Sequence, residues 1–233
     1  MVSQIVYTNS KCSDVWDMFI TQNKKYCNFD LYFISDIPIP NFPQEKVFIY
    51  KNNDLYYKVW IDALNKFKID TFIYLQEDFI LYDFVDSNAI FKYNNFIKQS
   101  NYSFVRLLKC GNLNSNKIYD TLYEIESTNS DIFAMQATIW KTSDFIKLYE
   151  YSKPLNWRDE PICGSGMRSL QMCGLYHYNE ERKIGLNHFD SKIYPYIATA
   201  LVMGKWNIFE YIELDGILNT YNIDRKQRGL YAR

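Results

Sequence analysis

Two adjacent carboxylates, Glu77 and Asp78, directly follow an apolar run at residues 71–76 that is typical of a buried strand. An ionised carboxylate is costly to bury unless a positive charge or water offsets that cost. The pair therefore indicates a bound cation or a solvent-facing cleft. A hard divalent cation that binds phosphate needs only one or two protein carboxylates, because it keeps water ligands as well. The alternative is that Asp78 only caps the turn or helix that follows the strand.

Short segments rich in β-branched and aromatic residues alternate with segments that have the apolar spacing of helices. We predict strands at residues 4–8, 30–36, 46–50, 71–76 and 103–108. We predict helices at 14–25, 54–67 and 87–99, with Ser13 and Asp86 as N-caps of the first and third. After residue 110 we predict strands at 121–126 and 131–140 and helices at 142–151, 160–174 and 206–221. This alternation predicts an α/β fold, with a mostly parallel central sheet flanked by helices.

The ends of the predicted strands are the places to look for a ligand, because open α/β sheets bind ligands beyond the carboxyl ends of their strands. The polar or tyrosine side chains there, which are candidates for binding a nucleotide, are Thr8, Asn9, Asp36, Tyr50, Gln76 and Glu77. Asp36 could accept a hydrogen bond from a base or ribose, and Thr8 and Asn9 could contact the base. The alternatives are a turn role for Asp36 and helix capping by Thr8 and Asn9.

Four stretches, "YLQED", "FAMQATIWK", "NWRDE" and "MGKWN", resemble glycosyltransferases of the GT-A fold, in particular small viral and bacterial enzymes that use nucleotide sugars. Each motif is short, but together they span most of the chain in the expected order. The resemblance implies one catalytic domain over residues 1–233, with a Rossmann-like, nucleotide-binding half at 1–110 and an acceptor-binding half at 111–233. It also implies transfer of a sugar from a nucleotide-sugar donor, most simply a UDP-sugar, to a glycan acceptor.

In that family a D-x-D motif after the fourth strand supplies the metal contact to the donor diphosphate. The three corresponding positions here are Gln76, Glu77 and Asp78, so the first aspartate of the motif is absent. Because the last acid most often binds the metal in such enzymes, the resemblance implies that Asp78 is a ligand of Mn²⁺ or Mg²⁺. Glu77 is then expected to bind either the metal or the ribose.

Family members also carry a W-x-x-E pattern, which is kept here as Trp157 and Glu160. Inverting sugar transfer needs a carboxylate base that removes the proton of the acceptor hydroxyl. Glu160 is the first candidate for this base and Asp159 is the second. The alternative is that both acids only stabilise the positive end of a helix that starts near Pro161. A base at one of these two positions favours transfer with inversion of configuration at the anomeric carbon. Transfer with retention of configuration remains the alternative.

Several further side chains could contact the substrates. Gln136 is a lone amide in an apolar run, and the ring of Trp157 could stack on a sugar, so both are candidates for binding the acceptor or the sugar. Lys205 could neutralise the leaving diphosphate, as could the basic residues at 225–228. His188 lies in "HFD", where a metal or phosphate contact is conceivable, although a structural role is the simpler interpretation.

The composition disfavours several classes of protein. A formal net charge of -1 with 48% hydrophobic residues predicts neither disorder nor a basic surface for nucleic acid. The five cysteines are odd in number and lack C-x-x-C spacing, which disfavours a disulfide scaffold and a zinc site. No run approaches the ~18 apolar residues of a membrane span, and the first residues do not resemble a secretion signal. We therefore expect a soluble protein of the cytoplasm, or of the host cytoplasm if the source is a virus.

Two other functions remain open. The sequence lacks the usual phosphate-loop, dinucleotide-binding, hydrolase and zincin motifs. A sugar-nucleotide nucleotidyltransferase shares the α/β layout, but normally has a glycine-rich, basic loop after the first strand, unlike "TNSKCSD". A non-catalytic glycan-binding domain is the third possibility. It would be favoured if the nucleotide pocket were occluded and Glu160 faced away from it.

Overall fold

The computed structural model describes residues 2–113, 116–184 and 187–231. The strands are β1 (Ser3–Tyr7), β2 (Leu31–Ser35), β3 (Val47–Ile49), β4 (Thr71–Gln76), β5 (Ile80–Leu81), β6 (Phe104–Arg106), β7 (Lys117–Tyr119), β8 (Leu122–Ile125), β9 (Thr138–Lys141), β10 (Gly174–His177), β11 (Lys183–Ile184), β12 (His188–Phe189), β13 (Tyr196–Ile197), β14 (Leu201–Val202) and β15 (Lys205–Trp206). The helices are α1 (Ser13–Tyr26), α2 (Tyr56–Phe67), α3 (Ser87–Lys98), α4 (Thr142–Ser152), α5 (Glu160–Ser169), α6 (Ile212–Thr220) and α7 (Arg225–Arg228).

The central sheet has the strand order β3-β2-β1-β4-β9-β6-β10-β8-β7. Its first four strands are parallel, and β6 is parallel to β10. Only β9 and β8 run against their neighbours in this sheet, so seven of its nine strands point the same way. Helices α2, α3 and α4 contact the sheet. The predicted α/β class with a mostly parallel central sheet is confirmed by this topology.

Apolar side chains on both faces of the sheet explain why β4 reads as a continuous hydrophobic run. On one face of the sheet, Trp60 of α2 packs against Tyr74 of β4, with ring centroids 5.2 Å apart. The Trp60 ring also packs against Phe145 of α4 at the same separation. Many of the chain's aromatic residues therefore belong to the core. The buried apolar residues form one cluster that reaches from Val2 to Leu218.

Strand β9 lies between β4 and β6, so the sheet draws on both halves of the chain. The predicted division into a nucleotide-binding and an acceptor-binding half remains a prediction. Among the described helices, none combines the length and apolar character that crossing a membrane requires.

The structure corrects the predicted strand at 131–140, which is limited to β9. Before it, the guanidinium of Arg106 donates to the carbonyl oxygens of Asp131 and Ile132, and Gln136 N–H bonds to Ala134 O in a tight turn. Because side-chain and local bonds satisfy this backbone, it has no need of a strand partner. Gln136 therefore does not lie on a strand.

Two helix predictions were too long. The helix predicted at 160–174 ends at Ser169, and Gly174 begins β10. A Cβ atom on Gly174 would lie 1.9 Å from Cζ of Phe104, so this position in the sheet requires glycine. The helix predicted at 206–221 starts only at Ile212, because Trp206 pairs with Leu201 in the β14-β15 hairpin.

Capping was predicted correctly at one of two helices. The carboxylate of Asp86 accepts a hydrogen bond from Ala89 N–H at 3.0 Å, as an N-cap does. Ser13, however, is the first residue of α1 and not its cap. The cap in this region is Asn9, whose side chain accepts a bond from Lys11 N–H at the start of a short 3₁₀ turn.

Candidate functional site

A cleft of about 630 Å³ opens at the carboxyl ends of β1 and β4. It is bounded by these strand ends, the turn before α5, the segment before β9, and the β14-β15 hairpin. The lining residues are Tyr7, Asn9, Cys12, Gln76, Glu77, Asp78, Phe79, Met135, Gln136, Trp157, Arg158, Glu160, Ala198, Thr199, Leu201, Val202, Met203, Gly204 and Arg228. Its position agrees with the general rule for ligand sites in α/β sheets.

Glu77 and Asp78 line this cleft and lie in the turn after β4. Asp78 Oδ2 accepts a hydrogen bond from Leu201 N–H at 3.3 Å, which ties the strand end to the β14-β15 hairpin. Burial and the nearby charge of Glu77 together raise the pKa of Asp78 to about 7, against a smaller lowering by the Leu201 N–H. Burial also raises the pKa of Glu77. A bound cation would favour the ionised form of both carboxylates.

The carboxylate oxygens of Glu77 and Asp78 suit a metal cation that is also coordinated by a bound ligand. No group of three or more metal-binding side chains comes together within the described ranges, so those residues alone form no metal cage. Two neighbouring carboxylates are nevertheless sufficient for Mn²⁺ or Mg²⁺ when phosphate and water oxygens complete the coordination. Glu77 and Asp78 are the residues that would hold it. The metal remains a prediction.

Glu160 is the first residue of α5 and lines the cleft. Its Oε1 accepts a hydrogen bond from Met135 N–H at 2.5 Å, while no hydrogen bond to Oε2 forms within the described residues. Partial burial raises the pKa of Glu160, whereas the Met135 N–H and the charge of Arg106 lower it. The arrangement leaves one carboxylate oxygen for a proton of a ligand in the cleft.

The structure separates Asp159 from Glu160. Asp159 Oδ2 accepts hydrogen bonds from Leu155 N–H at 2.6 Å and Asn156 N–H at 3.3 Å. Its carboxylate therefore holds the turn before α5 together, and it is not among the residues that line the cleft. Of the two candidate bases, only Glu160 is placed where a substrate could reach it.

The turn before α5 also carries Trp157 and Arg158 to the mouth of the cleft. The Trp157 side chain is 49% exposed. The Arg158 guanidinium carbon lies 4.8 Å from the centroid of the Trp157 ring, within the range of a cation-π contact. No role was predicted for Arg158 from the sequence, although it lies inside the "NWRDE" motif.

Gln136 lines the cleft, and two other side chains position its amide group by hydrogen bonds. Its Oε1 accepts a hydrogen bond from Tyr196 OH at 2.8 Å, and its Nε2 lies 3.0 Å from His188 Nε2. Burial lowers the pKa of His188 to about 4, so the imidazole is neutral and can accept the bond from the amide. His188 therefore supports Gln136, and the hydroxyl of Tyr82 hydrogen-bonds Asp190 elsewhere. The histidine and the aspartate of "HFD" therefore have separate hydrogen-bond partners.

The remaining nucleotide candidates do not all reach the cleft. Thr8 is fully buried, and its Oγ1 accepts a hydrogen bond from Trp16 Nε1 at 2.8 Å. Tyr50 is buried beside it and donates to Thr8 O at 3.1 Å. Asp36 accepts hydrogen bonds from the N–H and the hydroxyl of Ser10, at 2.6 and 2.8 Å. These three side chains support the end of β1 and the loop after it, but are not part of the lining.

The basic residues that could neutralise the leaving diphosphate likewise differ in whether they line the cleft. Lys205 is exposed on β15 and lies outside the lining. Arg225 pairs with Asp215 at 2.7 Å. Arg228 lines the cleft and forms hydrogen bonds with both carboxylate oxygens of Asp14. The Asp14–Arg228 pair thus attaches the end of the chain to the start of α1.

In total, the structure brings together Asn9, Gln76, Glu77, Asp78, Gln136, Trp157 and Glu160 from the predicted site residues. Tyr7, Cys12 and the hairpin residues at 201–204 also line the cleft and were missed. Tyr7 ends β1, and its ring stacks on Tyr50 with centroids 5.4 Å apart. The alternation of side chains along β1, with Thr8 facing inward, was the signal that could have identified Tyr7.

No family model matches the chain, and no curated protein matches it. Among solved structures, it resembles a cytidylyltransferase from Leptospira borgpetersenii serovar Hardjo-bovis, with a TM-score of 0.48 and 14% identity over 99% of both chains. It also resembles a CMP:2-keto-3-deoxy-manno-octonic acid synthetase in complex with CTP, with a TM-score of 0.47 and 8% identity over 75% of this chain and 88% of that chain. By description, both correspond to the nucleotidyltransferase alternative and not to a glycosyltransferase. At these TM-scores and identities, the likeness carries no inference about the activity of this chain.

Proposed function

We propose that this chain is a nucleotide-sugar-dependent transferase that moves a sugar from its donor to a hydroxyl group of an acceptor. One observation carries the proposal. A single open cleft joins the two acids after β4 with Glu160 at the start of α5, and Trp157 lies at its mouth. Its volume of about 630 Å³ suits a ligand of nucleotide-sugar size.

In this proposal the donor diphosphate lies over Glu77 and Asp78, beside the end of β1. A divalent cation held there would neutralise the negative charge that develops on the leaving diphosphate. Arg228 contributes positive charge on the same side, since its guanidinium hydrogen-bonds Lys11 O after β1 and Gly204 O in the hairpin. Asn9 and Tyr7 at the end of β1 would contact the nucleoside.

Glu160 acts as the base. Its Oε2 takes the proton of the acceptor hydroxyl as that oxygen attacks the anomeric carbon, and the bond from this carbon to the diphosphate breaks with its electron pair. The hydrogen bond from Met135 N–H to Oε1 fixes the orientation of the carboxylate. Attack from the side opposite the leaving group inverts the configuration. Gln136, held by Tyr196, would donate its amide N–H to a sugar hydroxyl.

Nucleotidyl transfer is the second candidate, because the acids after β4 could equally hold a cation on a nucleoside triphosphate. The loop after β1 disfavours it: residues 9–12 form a short 3₁₀ turn without glycine, and Lys11 is their only basic residue. A glycan-binding domain without activity is disfavoured because the cleft is open and Glu160 lines it.

Product analysis distinguishes these functions. The protein is incubated with Mn²⁺ or Mg²⁺ and a panel of nucleotide sugars, and separately with nucleoside triphosphates and free sugars. Sugar transfer, or slow hydrolysis of the donor by water, releases a nucleoside diphosphate. Nucleotidyl transfer releases pyrophosphate. We expect the diphosphate from at least one UDP-sugar. Pyrophosphate release would instead establish the second candidate, and release of neither product with either cation would contradict an enzymatic role for the cleft.

A further inference from the structure

The two arginines that line the cleft differ in whether the fold supplies a carboxylate partner for the guanidinium. The charged side chains that line it are Glu77, Asp78, Glu160, Arg158 and Arg228. The fold already supplies a partner for Arg228, because both carboxylate oxygens of Asp14 accept its hydrogen bonds. Within the described part of the chain, Arg158 forms no salt bridge. Arg158 is therefore a cation that faces the cleft without a carboxylate of its own.

The turn that carries Arg158 is held together without its guanidinium. Asp159 accepts the N–H groups of Leu155 and Asn156, and Asn156 Oδ1 accepts the N–H of Arg158 at 2.9 Å. The guanidinium instead lies over the ring of Trp157, with 4.8 Å between its carbon and the ring centroid. The turn thus presents an indole and a guanidinium at the cleft, and neither is used to hold the turn itself.

These two groups together suit one class of ligand. A guanidinium that packs on an aromatic ring keeps its N–H edge available, and that edge matches a carboxylate in a bidentate arrangement. A half-exposed indole offers apolar area and a π face to the C–H groups of a sugar ring. A sugar residue with a carboxylate would use both groups at once.

The location assigns this ligand to the acceptor. Arg158 precedes Glu160 by two residues, on the side of the cleft where the hydroxyl to be deprotonated must lie. Arg228, by contrast, contacts the backbone after β1 and the β14-β15 hairpin, which is the side of the donor diphosphate. A cation without a carboxylate partner, two residues before the base and in the same cleft lining, is therefore suited to the acceptor and not to the leaving group.

We propose that Trp157 and Arg158 form a subsite for an acidic sugar residue of the acceptor, whose carboxylate binds the Arg158 guanidinium while its ring packs on Trp157. The assignment to the acceptor rests on the proposed function, in which Glu160 is the base. The subsite itself can be tested by binding alone, without turnover.

The experiment measures the dissociation constants of methyl β-glucuronide and methyl β-glucoside by ligand-observed NMR or calorimetry. The two probes differ only in a carboxylate in place of a hydroxymethyl group. The wild-type protein should bind the glucuronide about fivefold more tightly or better, as expected for a partly exposed charge pair. The Arg158→Gln variant should bind both probes equally. Arg168→Gln is the matched control, because it removes the same charge from an exposed position of α5 outside the cleft lining, and it should keep the preference.

Equal affinity of the wild type for the two probes would overturn the subsite, as would a preference that survives Arg158→Gln. Nucleotide release by the wild-type protein, measured without an acceptor, tests the proposed function separately. A carboxylate preference that depends on Arg158 in a protein that releases no nucleotide would support the subsite and contradict the transferase. Nucleotide release without any preference would support the transferase and contradict the subsite.

Discussion

Replacing Glu160 by Gln should damage the chemical step and leave the fold intact. The amide oxygen of glutamine can still accept the N–H of Met135, so the hydrogen bond that orients this side chain is kept. Only the proton acceptor is lost. Removing a positioned general base lowers the rate about 10²- to 10⁴-fold, which corresponds to roughly 3 to 5 kcal/mol in the activation free energy. The affinity for the nucleotide should change little, because the acids after β4 are untouched.

The pH dependence of the same reaction gives a second measurement. Burial raises the pKa of Glu160, so the ionised base is populated only above the usual range for glutamate. The wild-type value of kcat/KM should therefore rise with pH through a midpoint above that of an ordinary glutamate. Glu160→Gln should lack this rise.

Because the folded pKa of Glu160 exceeds the unfolded one, the stability that Glu160 contributes is present at low pH and is lost as the pH rises through the folded pKa. The glutamine variant should thus be no less stable than the wild type at neutral pH.

Asp159→Asn is the control for the neighbouring acid. It weakens the bonds to Leu155 N–H and Asn156 N–H and should cost about 1 kcal/mol of folding free energy, or roughly 2 to 4 °C in Tm. It should retain most of the turnover. The assay follows release of nucleoside diphosphate and Tm by thermal unfolding. If Glu160→Gln keeps the wild-type rate, or Asp159→Asn abolishes turnover while Glu160→Gln does not, the assignment of Glu160 as the base is wrong.

Two further predictions concern the fold and the metal. Gly174→Ala should destabilise the protein by about 1 to 3 kcal/mol, since the new Cβ would lie 1.9 Å from Phe104 Cζ. Gly216→Ala, at an exposed position of α6 where nothing lies within 4 Å of the new Cβ, should stabilise the protein by about 0.5 to 1 kcal/mol. Chemical denaturation of both variants checks the opposite signs, and equal effects would contradict the packing at Gly174. Mn²⁺ should increase the thermal stabilisation of the wild type by UDP, and Asp78→Asn should abolish that increase; an unchanged increment in the variant would exclude Asp78 as the ligand.

Local features of the chain were predictable because short-range physics determines them. The strand at 71–76 has an apolar run from Phe72 to Leu75, and Asp86 caps α3 through an N–H only three residues away. The prediction that the two acids after β4 belong to the site rests on equally local information, because they directly follow a buried strand at the edge of the sheet where ligands bind. The placement of Gln136, Trp157 and Glu160 in the cleft was likewise expected, on the basis of motif resemblance.

Other features depend on contacts that no local pattern contains. Thr8 and Asp36 lie at strand ends, yet Trp16 and Ser10 take up their polar atoms, so neither lines the cleft. Nothing in the letters of "NWRDE" distinguishes its two acids, because the choice depends on which backbone N–H groups each carboxylate meets after the turn has folded.

Hydrophobic periodicity was therefore enough to predict the α/β class, and the acids that follow a buried run were enough to predict where a site should lie. The folded chain was needed to show that β9 lies between β4 and β6, that Glu160 and not Asp159 lines the cleft, and that Arg228 reaches it. Such features depend on contacts between residues that are far apart in the sequence. Arg228 is placed by its pair with Asp14, 214 positions away, and such a contact exists only once the intervening elements have packed.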